Sequence, residues 1–129
     1  YCAERASKIL NRYQKSMNGS TILFLGVAYK QDIADYRESP AIALIEEVEK
    51  EMANVIYYDP YVKEYKENGV HKIGQAELTK ELLESADLVI VTTAHTNVDY
   101  DFVQKHAKAI FDTKNVMKNV KNRENIELL

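Results

Sequence analysis

Several features that would place a protein in a specialised class are missing from this sequence. No apolar stretch approaches the roughly 20 residues that a membrane-spanning helix needs. The 17 lysine and arginine residues are outnumbered by 20 aspartate and glutamate residues, which gives a net charge of -3. A general nucleic-acid binder carries a basic face. Neither a membrane nor a nucleic acid is therefore an expected partner.

Cysteine is almost absent as well. The single residue of this type, Cys2, has no partner for an internal disulfide, which favours a reducing, cytoplasmic setting. No base stands near Cys2 in the sequence to activate it as a nucleophile. The 3 histidines lie in different segments without metal-ligand spacing, and no Ser-His-Asp order is present. The sequence predicts no catalytic residue and no metal site.

What the sequence does contain is enough apolar material for one domain. Its 129 residues are 46% hydrophobic, which suits a single domain with a buried core. The first residue is Tyr1 rather than methionine, so we expect the chain to be a fragment of a longer protein.

The secondary structure is predicted from the spacing of apolar residues and from turn residues. The predicted helices cover 1–16, a segment that begins at Ser39-Pro40, 75–85, and a short segment from 99 or 100 to 106 or 107. The predicted strands cover 21–27, 54–58, 87–92 and 109–112. Residues 28–38, 61–72 and 94–98 are expected to be irregular. After Lys114 we expect a loop, with room for one short terminal element.

The order of these elements predicts the fold. Strands that alternate with helices pair in parallel through right-handed crossovers. The predicted fold is an α/β, three-layer Rossmann-like parallel sheet with helices on both faces, preceded by one helix. Ligands of such sheets bind at the carboxyl ends of the strands, so the loops that follow the strands are the candidate site.

The loop after the first strand carries two cations. Lys30 and Arg37 lie just before the helix that begins at Ser39, and cations near a helix N-terminus suit a diphosphate. The alternative is that both are solvated charges among the acidic residues of the loop. Gly26 is the only glycine here, so the loop lacks the GxGxxG pattern of a dinucleotide site.

The other strand ends allow two interpretations each. Lys114 would project over the same sheet edge as Lys30, although a surface lysine beside a structural aspartate is the simpler interpretation. The hydroxyls of Thr92 and Thr93 could bond a ligand. His95 could act as a base, but we favour a loop residue that faces water or caps the next helix. Asp59 could bind a ribose, but with Pro60 it is equally suited to a turn, which we prefer.

Together these segments resemble one protein family. The run GVAYKQDIADYRESPAIALIEEV resembles the start of the C-terminal domain in the UDP-glucose/GDP-mannose dehydrogenase family. That signature is a strand ending in glycine, an aromatic-lysine pair, an aspartate, and Arg-Glu-Ser followed by proline. The runs VIYYDPYV, ADLVIVTTAH and IFDTKNV resemble the second, third and fourth strands of that domain. The resemblance covers roughly residues 5 to 117.

The resemblance implies an architecture and an activity. Members have an N-terminal NAD domain, a central helix used for dimerisation, and a C-terminal UDP-sugar-binding domain. Residues 1–18 are then the end of the central connecting helix, and 19–129 are the UDP-sugar-binding domain. Members oxidise the sugar C6 alcohol to a uronic acid in two steps with NAD, through a cysteine outside the region matched here. The chain alone is expected to be inactive, and the full-length protein is expected to be a homodimer.

The resemblance also implies roles for four residues. The aromatic-lysine pair contacts the nucleotide sugar, so Tyr29 and Lys30 are the predicted substrate-binding residues. The arginine of Arg-Glu-Ser reaches the NAD, which assigns cofactor binding to Arg37. The family's fourth-strand motif carries an arginine that binds the sugar nucleotide, and Lys114 occupies that position. Lysine keeps the charge but lacks the bidentate fork of arginine.

The loop after the third strand most resembles members that act on UDP-N-acetylhexosamines, whose products enter surface polysaccharides. A UDP-glucose 6-dehydrogenase is the alternative within the family. Outside it, a receiver-type regulatory module would share the alternating pattern, but the first strand here ends in Gly-Val-Ala rather than in acidic residues. A non-catalytic interaction domain is the third alternative. It would bind no nucleotide, so a test of ligand binding separates it from a dehydrogenase domain.

Overall fold

A computed structural model describes residues 1–129. The elements in chain order are α1 (Cys2–Arg12), β1 (Thr21–Leu25), α2 (Pro40–Lys50), β2 (Asn54–Tyr58), β3 (Glu64–Glu67), β4 (Val70–Ile73), α3 (Lys80–Ser85), β5 (Leu88–Val91), α4 (Tyr100–His106), β6 (Ile110–Asp112) and β7 (Ile126–Leu128). Five strands form one parallel sheet in the order β2-β1-β5-β6-β7. The predicted fold class is confirmed.

The side chains of the central strands alternate between two cores. Ile22 and Phe24 of β1 belong to the core that also contains the inner faces of α1 and α2. Leu23 and Leu25 belong to the core that includes Leu83 of α3 and Val103 of α4. The sheet is thus a middle layer with helices on both faces. No helix of the structure combines the length and apolarity required to cross a membrane.

Helix α1 ends earlier than the predicted residue 16. Gln14 adopts a left-handed conformation with φ of 61°, and the amide of Lys15 then donates to the carbonyl of Leu10 at 3.0 Å. This is a left-handed helix C-terminus of the kind that usually carries glycine or asparagine. Because glutamine stands there instead, the sequence carried no stop signal, and the prediction of helix to residue 16 was wrong.

Residues 61–72 were predicted to be irregular, and this was wrong. Strands β3 and β4 form an antiparallel hairpin within the segment. Its two-residue turn is Asn68-Gly69, both with positive φ, which is the sequence most favoured for such turns. Tyr65 of β3 is buried, with its ring 5.5 Å from that of Tyr57 and 5.8 Å from that of Tyr36. The hairpin therefore packs through aromatic side chains.

Two further boundaries differ from the predictions by more than one residue, and the end of the chain is as predicted. Strand β1 stops at Leu25 because Gly26 turns the chain with φ of 95°. Helix α3 begins at Lys80 rather than 75, since the hydroxyl of Thr79 caps it by accepting from the amide of Leu82 at 3.1 Å. After Lys114 a loop leads to the short strand β7, and Arg5 and Arg12 of α1 form ion pairs with its Glu127.

Candidate functional site

The turn after β1 requires glycine at position 26. Gly26 has a positive φ, and a Cβ built on it would lie 2.3 Å from the Cβ of Thr93. Its amide donates to the carbonyl of Tyr58 at 2.9 Å. The turn therefore brings the loop of residues 26–39, called the β1–α2 loop below, against the ends of β2 and β5.

Tyr29 and Lys30 lie at the exposed outer side of the β1–α2 loop. The Tyr29 side chain is 51% exposed, and Lys30 is exposed as well. The backbone beneath them is ordered by a hydrogen bond, since the amide of Tyr29 donates to the carbonyl of Asp35 at 2.7 Å. Both side chains are accessible to a ligand.

Arg37 is paired with a carboxylate of its own loop. Its Nε and Nη2 donate to the two carboxylate oxygens of Asp35 at 3.1 and 3.0 Å. These side-chain hydrogen bonds, together with one from the Arg37 amide, lower the pKa of Asp35 to about 2. The guanidinium thus has a fixed direction while its side chain remains 81% exposed.

Lys114 lies on a loop that is organised by a buried aspartate. Asp112 is fully buried at the end of β6, and its carboxylate accepts from the amides of Lys114, Val116 and Met117 at 3.0, 3.3 and 2.9 Å. The structural role foreseen for this aspartate is confirmed. Lys114 itself is exposed and lines a cavity of 750 Å³ with Thr92, Thr113 and the first turn of α2.

The N-terminus of α2 offers few free donors to a phosphate. Pro40 has no amide hydrogen, and the amide of Ala41 donates to the Ser39 hydroxyl at 3.2 Å. The next two amides both donate to the carbonyl of Ser39. The helix can still favour an anion through its dipole, but the side chains of the site must supply the direct contacts.

The structure brings together some of the predicted residues and leaves others apart. Tyr29 and Arg37 line a second cavity of 650 Å³, whereas Lys114 lines the larger one and Lys30 lines neither. Three residues line both cavities: Glu38, Glu67 and Asn68. The two cavities are therefore adjacent, and they meet at the tip of the β3–β4 hairpin.

The hydroxyls of the two threonines after β5 donate hydrogen bonds to backbone carbonyls. The hydroxyl of Thr92 donates to the carbonyl of Gly26 at 2.6 Å, and the buried hydroxyl of Thr93 donates to that of Ala28 at 2.9 Å. The suggestion that these hydroxyls bond a ligand is not supported, because both instead hold the start of the β1–α2 loop.

His95 was expected to face water or to cap the next helix, and this was wrong. The side chain is 1% exposed, and its Nε2 lies 2.9 Å from Oδ2 of Asp59. Helix α4 is capped by Asp99 instead. His95 lies in the loop after the buried strand β5, and nothing in the sequence around it indicates that its ring is buried.

Asp59 forms the predicted turn and also holds the start of the β1–α2 loop. Oδ1 accepts from the amides of Tyr61 and Val62 at 2.8 and 3.2 Å, which is the turn expected of Asp-Pro. Oδ2 accepts from the amides of Val27 and Ala28 at 2.8 and 3.1 Å. Burial works to raise the pKa of Asp59, but the hydrogen bonds from His95 and the backbone outweigh it and lower that pKa.

The hairpin tip was missed as part of the site. Glu67 and Asn68 line both cavities, and Nδ2 of Asn68 donates to Glu46 of α2 at 2.7 Å. The Asn-Gly pair between Tyr65 and Val70 is a hairpin signal that sequence reasoning should have used.

The residues present do not form a cradle for a dinucleotide or a metal. The turn after β1 contains a single glycine, and the α2 amides that would face a pyrophosphate are already bonded within the helix. No group of three or more His, Cys, Asp or Glu side chains could hold a metal ion. What the edge does offer is an exposed aromatic ring and three exposed cations on ordered loops.

The family profile and the similar proteins found by comparison point to the same family. Residues 23–119 match the profile of the UDP-glucose/GDP-mannose dehydrogenase family, UDP binding domain. The chain is 31% identical over 102 residues to a UDP-N-acetyl-D-mannosamine dehydrogenase of Pyrococcus horikoshii, covering 75% of this chain and 22% of that protein. It is 27% identical over 111 residues to a UDP-glucose 6-dehydrogenase of Haloferax volcanii, covering 84% of this chain and 26% of that protein.

A solved structure agrees with these relatives. The crystal structure of an NDP-N-acetyl-D-galactosaminuronic acid dehydrogenase from Methanosarcina mazei superposes with a TM-score of 0.75 at 27% identity. The match covers 96% of this chain and 27% of that one. The chain thus spans about a quarter of the length of the proteins it matches.

Proposed function

The chain belongs to the UDP-glucose/GDP-mannose dehydrogenase family, as its UDP binding domain, and from this premise we propose that it forms the nucleotide-sugar site of an NAD-dependent UDP-sugar 6-dehydrogenase. The observation that carries the proposal is the β1–α2 loop, whose backbone is held at the carboxyl edge of the parallel sheet while Tyr29 and Lys30 are exposed. Ligands of parallel α/β sheets bind at this edge.

Each site residue has a role that its chemistry supports. Tyr29 supplies an exposed ring that can stack on a base or a sugar. Lys30 and Lys114 supply the positive charge that a diphosphate requires. Arg37, with its guanidinium directed by Asp35, contacts the NAD.

Charge balance supports a site that is completed by other parts of the enzyme. Two lysines, Lys50 and Lys114, line the larger cavity against four carboxylates, those of Glu38, Glu46, Glu47 and Glu67. In the smaller cavity Arg37 faces three. A dianionic ligand meets repulsion in such surroundings, so cations from outside this chain contribute to tight binding. Binding to the chain alone is therefore weak.

Other parts of the enzyme complete the proposed function. Residues 1–18 are the end of the connecting helix, and 19–129 are the UDP-sugar-binding domain. The NAD is held mainly by a separate domain, since this chain lacks a dinucleotide cradle. The nucleophilic cysteine also lies elsewhere, which leaves the chain alone inactive. The full-length enzyme is a homodimer, and the single free Cys2 suits a reducing cytoplasm.

The proposed substrate is a UDP-N-acetylhexosamine. Two of the matched proteins, from P. horikoshii and M. mazei, are named for N-acetylated sugars. UDP-glucose is the second candidate, because the H. volcanii relative is a UDP-glucose 6-dehydrogenase.

Calorimetric titration with UDP and with uridine tests the proposal. UDP should bind and uridine should bind more weakly, because only UDP carries the diphosphate. Lys30→Met and Lys114→Met should each weaken UDP binding about tenfold, since a hydrogen bond to a charged group contributes about 1.5–3 kcal/mol. Lys8→Met is the matched control, because Lys8 is an exposed lysine of α1 and belongs to none of the loops that follow the strands. Failure of UDP to bind even at millimolar concentration would contradict the proposal.

A further inference from the structure

The segment that carries Tyr29 and Lys30 is held at its first end by Asp59. The carboxylate of Asp59 is fully buried, and its Oδ2 accepts from the amides of Val27 and Ala28. Thr93 holds the same point from the neighbouring strand end by donating to the carbonyl of Ala28. The backbone is therefore fixed immediately before Tyr29.

The other end of the segment is held by His95. The amide of Asp32 donates to Nδ1 of His95 at 2.8 Å. Asp32 has a φ of 60°, a left-handed conformation that aspartate adopts at less cost than most residues but less freely than glycine. Its carboxylate accepts from the amide and the hydroxyl of Thr96, both at 2.9 Å. These contacts offset the cost and fix the backbone two residues after Lys30.

The two ends are connected through one buried pair. Nε2 of His95 lies 2.9 Å from the same Oδ2 of Asp59 that holds Val27 and Ala28. A continuous chain of hydrogen bonds therefore runs from Ala28 through Asp59 and His95 to Asp32. Only Tyr29, Lys30 and Gln31 lie between the two fixed points, and all three are exposed.

The contacts of the ring determine where its proton resides. A backbone amide can only donate, so Nδ1 must accept from Asp32 and carries no hydrogen. The hydrogen is then on Nε2, from which it is donated to Asp59. A hydrogen on Nδ1 would point at the Asp32 amide, so this arrangement requires the tautomer that carries its hydrogen on Nε2.

We propose that His95 is a positioning residue for nucleotide-sugar binding, which holds Tyr29 and Lys30 in their binding arrangement by accepting the hydrogen bond of the Asp32 amide through Nδ1. At 1% exposure His95 touches no ligand itself, so its effect passes through the backbone of the β1–α2 loop. The inference rests on the proposed function in that it takes Tyr29 and Lys30 as the ligand contacts.

Two substitutions separate the two nitrogens of the ring. In His95→Asn the amide oxygen occupies the place of Nδ1 and can still accept from Asp32, whereas the donor to Asp59 is lost. In His95→Gln the amide nitrogen reaches the place of Nε2 and keeps that donor, whereas the acceptor for Asp32 is lost. Both variants remove the imidazole, so each is the control for the other in loss of stability.

The readouts are UDP affinity by calorimetry, hydrogen exchange of the Asp32 amide, and the thermal midpoint. We expect His95→Gln to weaken UDP binding about five- to tenfold and to speed Asp32 exchange by a similar factor, as befits the loss of one hydrogen bond of about 1 kcal/mol. For His95→Asn, both the UDP affinity and the exchange rate of the Asp32 amide should stay within about threefold of those of the unmodified protein. Equal affinities for the two variants, or a greater loss in His95→Asn, would overturn the inference.

Two further measurements keep this result independent of the proposed function. If the unmodified protein fails to bind UDP, the proposed function fails, while Asp32 exchange in the two variants still decides whether Nδ1 holds the loop. If neither variant folds, the ¹⁵N chemical shifts of His95 in the unmodified protein decide it. An Nε2–H tautomer agrees with the inference, and an Nδ1–H tautomer refutes it.

Discussion

At the scale of single residues, the polar groups of the sheet edge divide into two sets. Those that are buried, including Asp59, Thr93 and Asp112, bond backbone amides and carbonyls of the edge loops. Those that are exposed, Tyr29, Lys30 and Lys114, remain available to a ligand. Buried polar groups need partners, and here those partners are the loops that present the exposed set.

Lys114 offers a test of how much geometry matters at this edge. Lys114→Arg should strengthen UDP binding several-fold, because a guanidinium can bond two phosphate oxygens at once where an ammonium acts as a point charge. Calorimetry with Lys114→Arg measures the effect of bidentate geometry on UDP affinity, and calorimetry with Lys114→Met measures the effect of the charge. An arginine variant that binds like the unmodified protein, beside a weakened methionine variant, would mean that the position supplies charge alone.

Gly26 allows a matched test of backbone strain and close contact. Gly26 and Gly19 both have positive φ, but a Cβ at Gly19 would meet nothing within 4 Å, whereas one at Gly26 would lie 2.3 Å from Thr93. Gly19→Ala should cost about 1–2 kcal/mol of the free energy of unfolding, from the left-handed conformation alone. Gly26→Ala should cost about 1–3 kcal/mol more, because Thr93 must move. Urea denaturation measures both, and equal losses would mean that the loop shifts freely away from Thr93.

At the scale of the elements, α1 is part of the domain core although it was predicted as the end of a connecting helix. Its inner face is buried against the sheet and α2, through Ala3, Ala6, Ile9 and Leu10. An element that shares a core with the sheet should unfold with it. The two descriptions are compatible, since a connecting helix can also pack against the domain it joins.

Leu10→Ala tests whether α1 unfolds together with the sheet. Leu10 is fully buried, so the substitution should lower the free energy of unfolding by about 2–5 kcal/mol. Asn11→Ala is the control, because Asn11 is exposed on the same helix and its loss should change stability by less than about 0.5 kcal/mol. Urea denaturation followed by circular dichroism provides the measurement. A neutral Leu10→Ala would show that α1 is a separately melting extension.

Elements whose formation depends on local patterning were predictable from the sequence. The strands 54–58 and 109–112 and the helix after Ser39-Pro40 follow from apolar runs, periodicity and a capping serine. The end of α1 was not predictable, since Gln14 adopts its left-handed conformation without the usual glycine. The β3–β4 hairpin was predictable through Asn68-Gly69 but was obscured by the polar composition of its strands.

At the scale of the whole molecule, the sheet topology is what assembles the site. The strand order places β1 between β2 and β5, so the loop after β1 meets Asp59 from one side and Thr93 and His95 from the other. The sequence predicted that the loops after the strands form the candidate site and that Lys30 and Lys114 lie over the same sheet edge. It could not predict which polar side chains turn inward, because that depends on strand neighbours that are distant in the sequence.

The acidic surroundings of the two cavities are also a property of the whole molecule. Glu67 of the hairpin lines both cavities, whereas Glu46 of α2 lines the larger one and Asp35 of the β1–α2 loop lines the smaller one. Their charges oppose a dianionic ligand and reduce its affinity for this chain taken alone.

The most direct test of the central claim is a map of amide chemical shifts during titration of the chain with UDP-N-acetylglucosamine. The account predicts saturable shifts concentrated in residues 26–39 and around Lys114, with GDP giving weaker shifts at the same places. Saturable shifts confined to other surfaces, or the absence of any shift up to millimolar ligand, would contradict the claim that this sheet edge binds the nucleotide sugar.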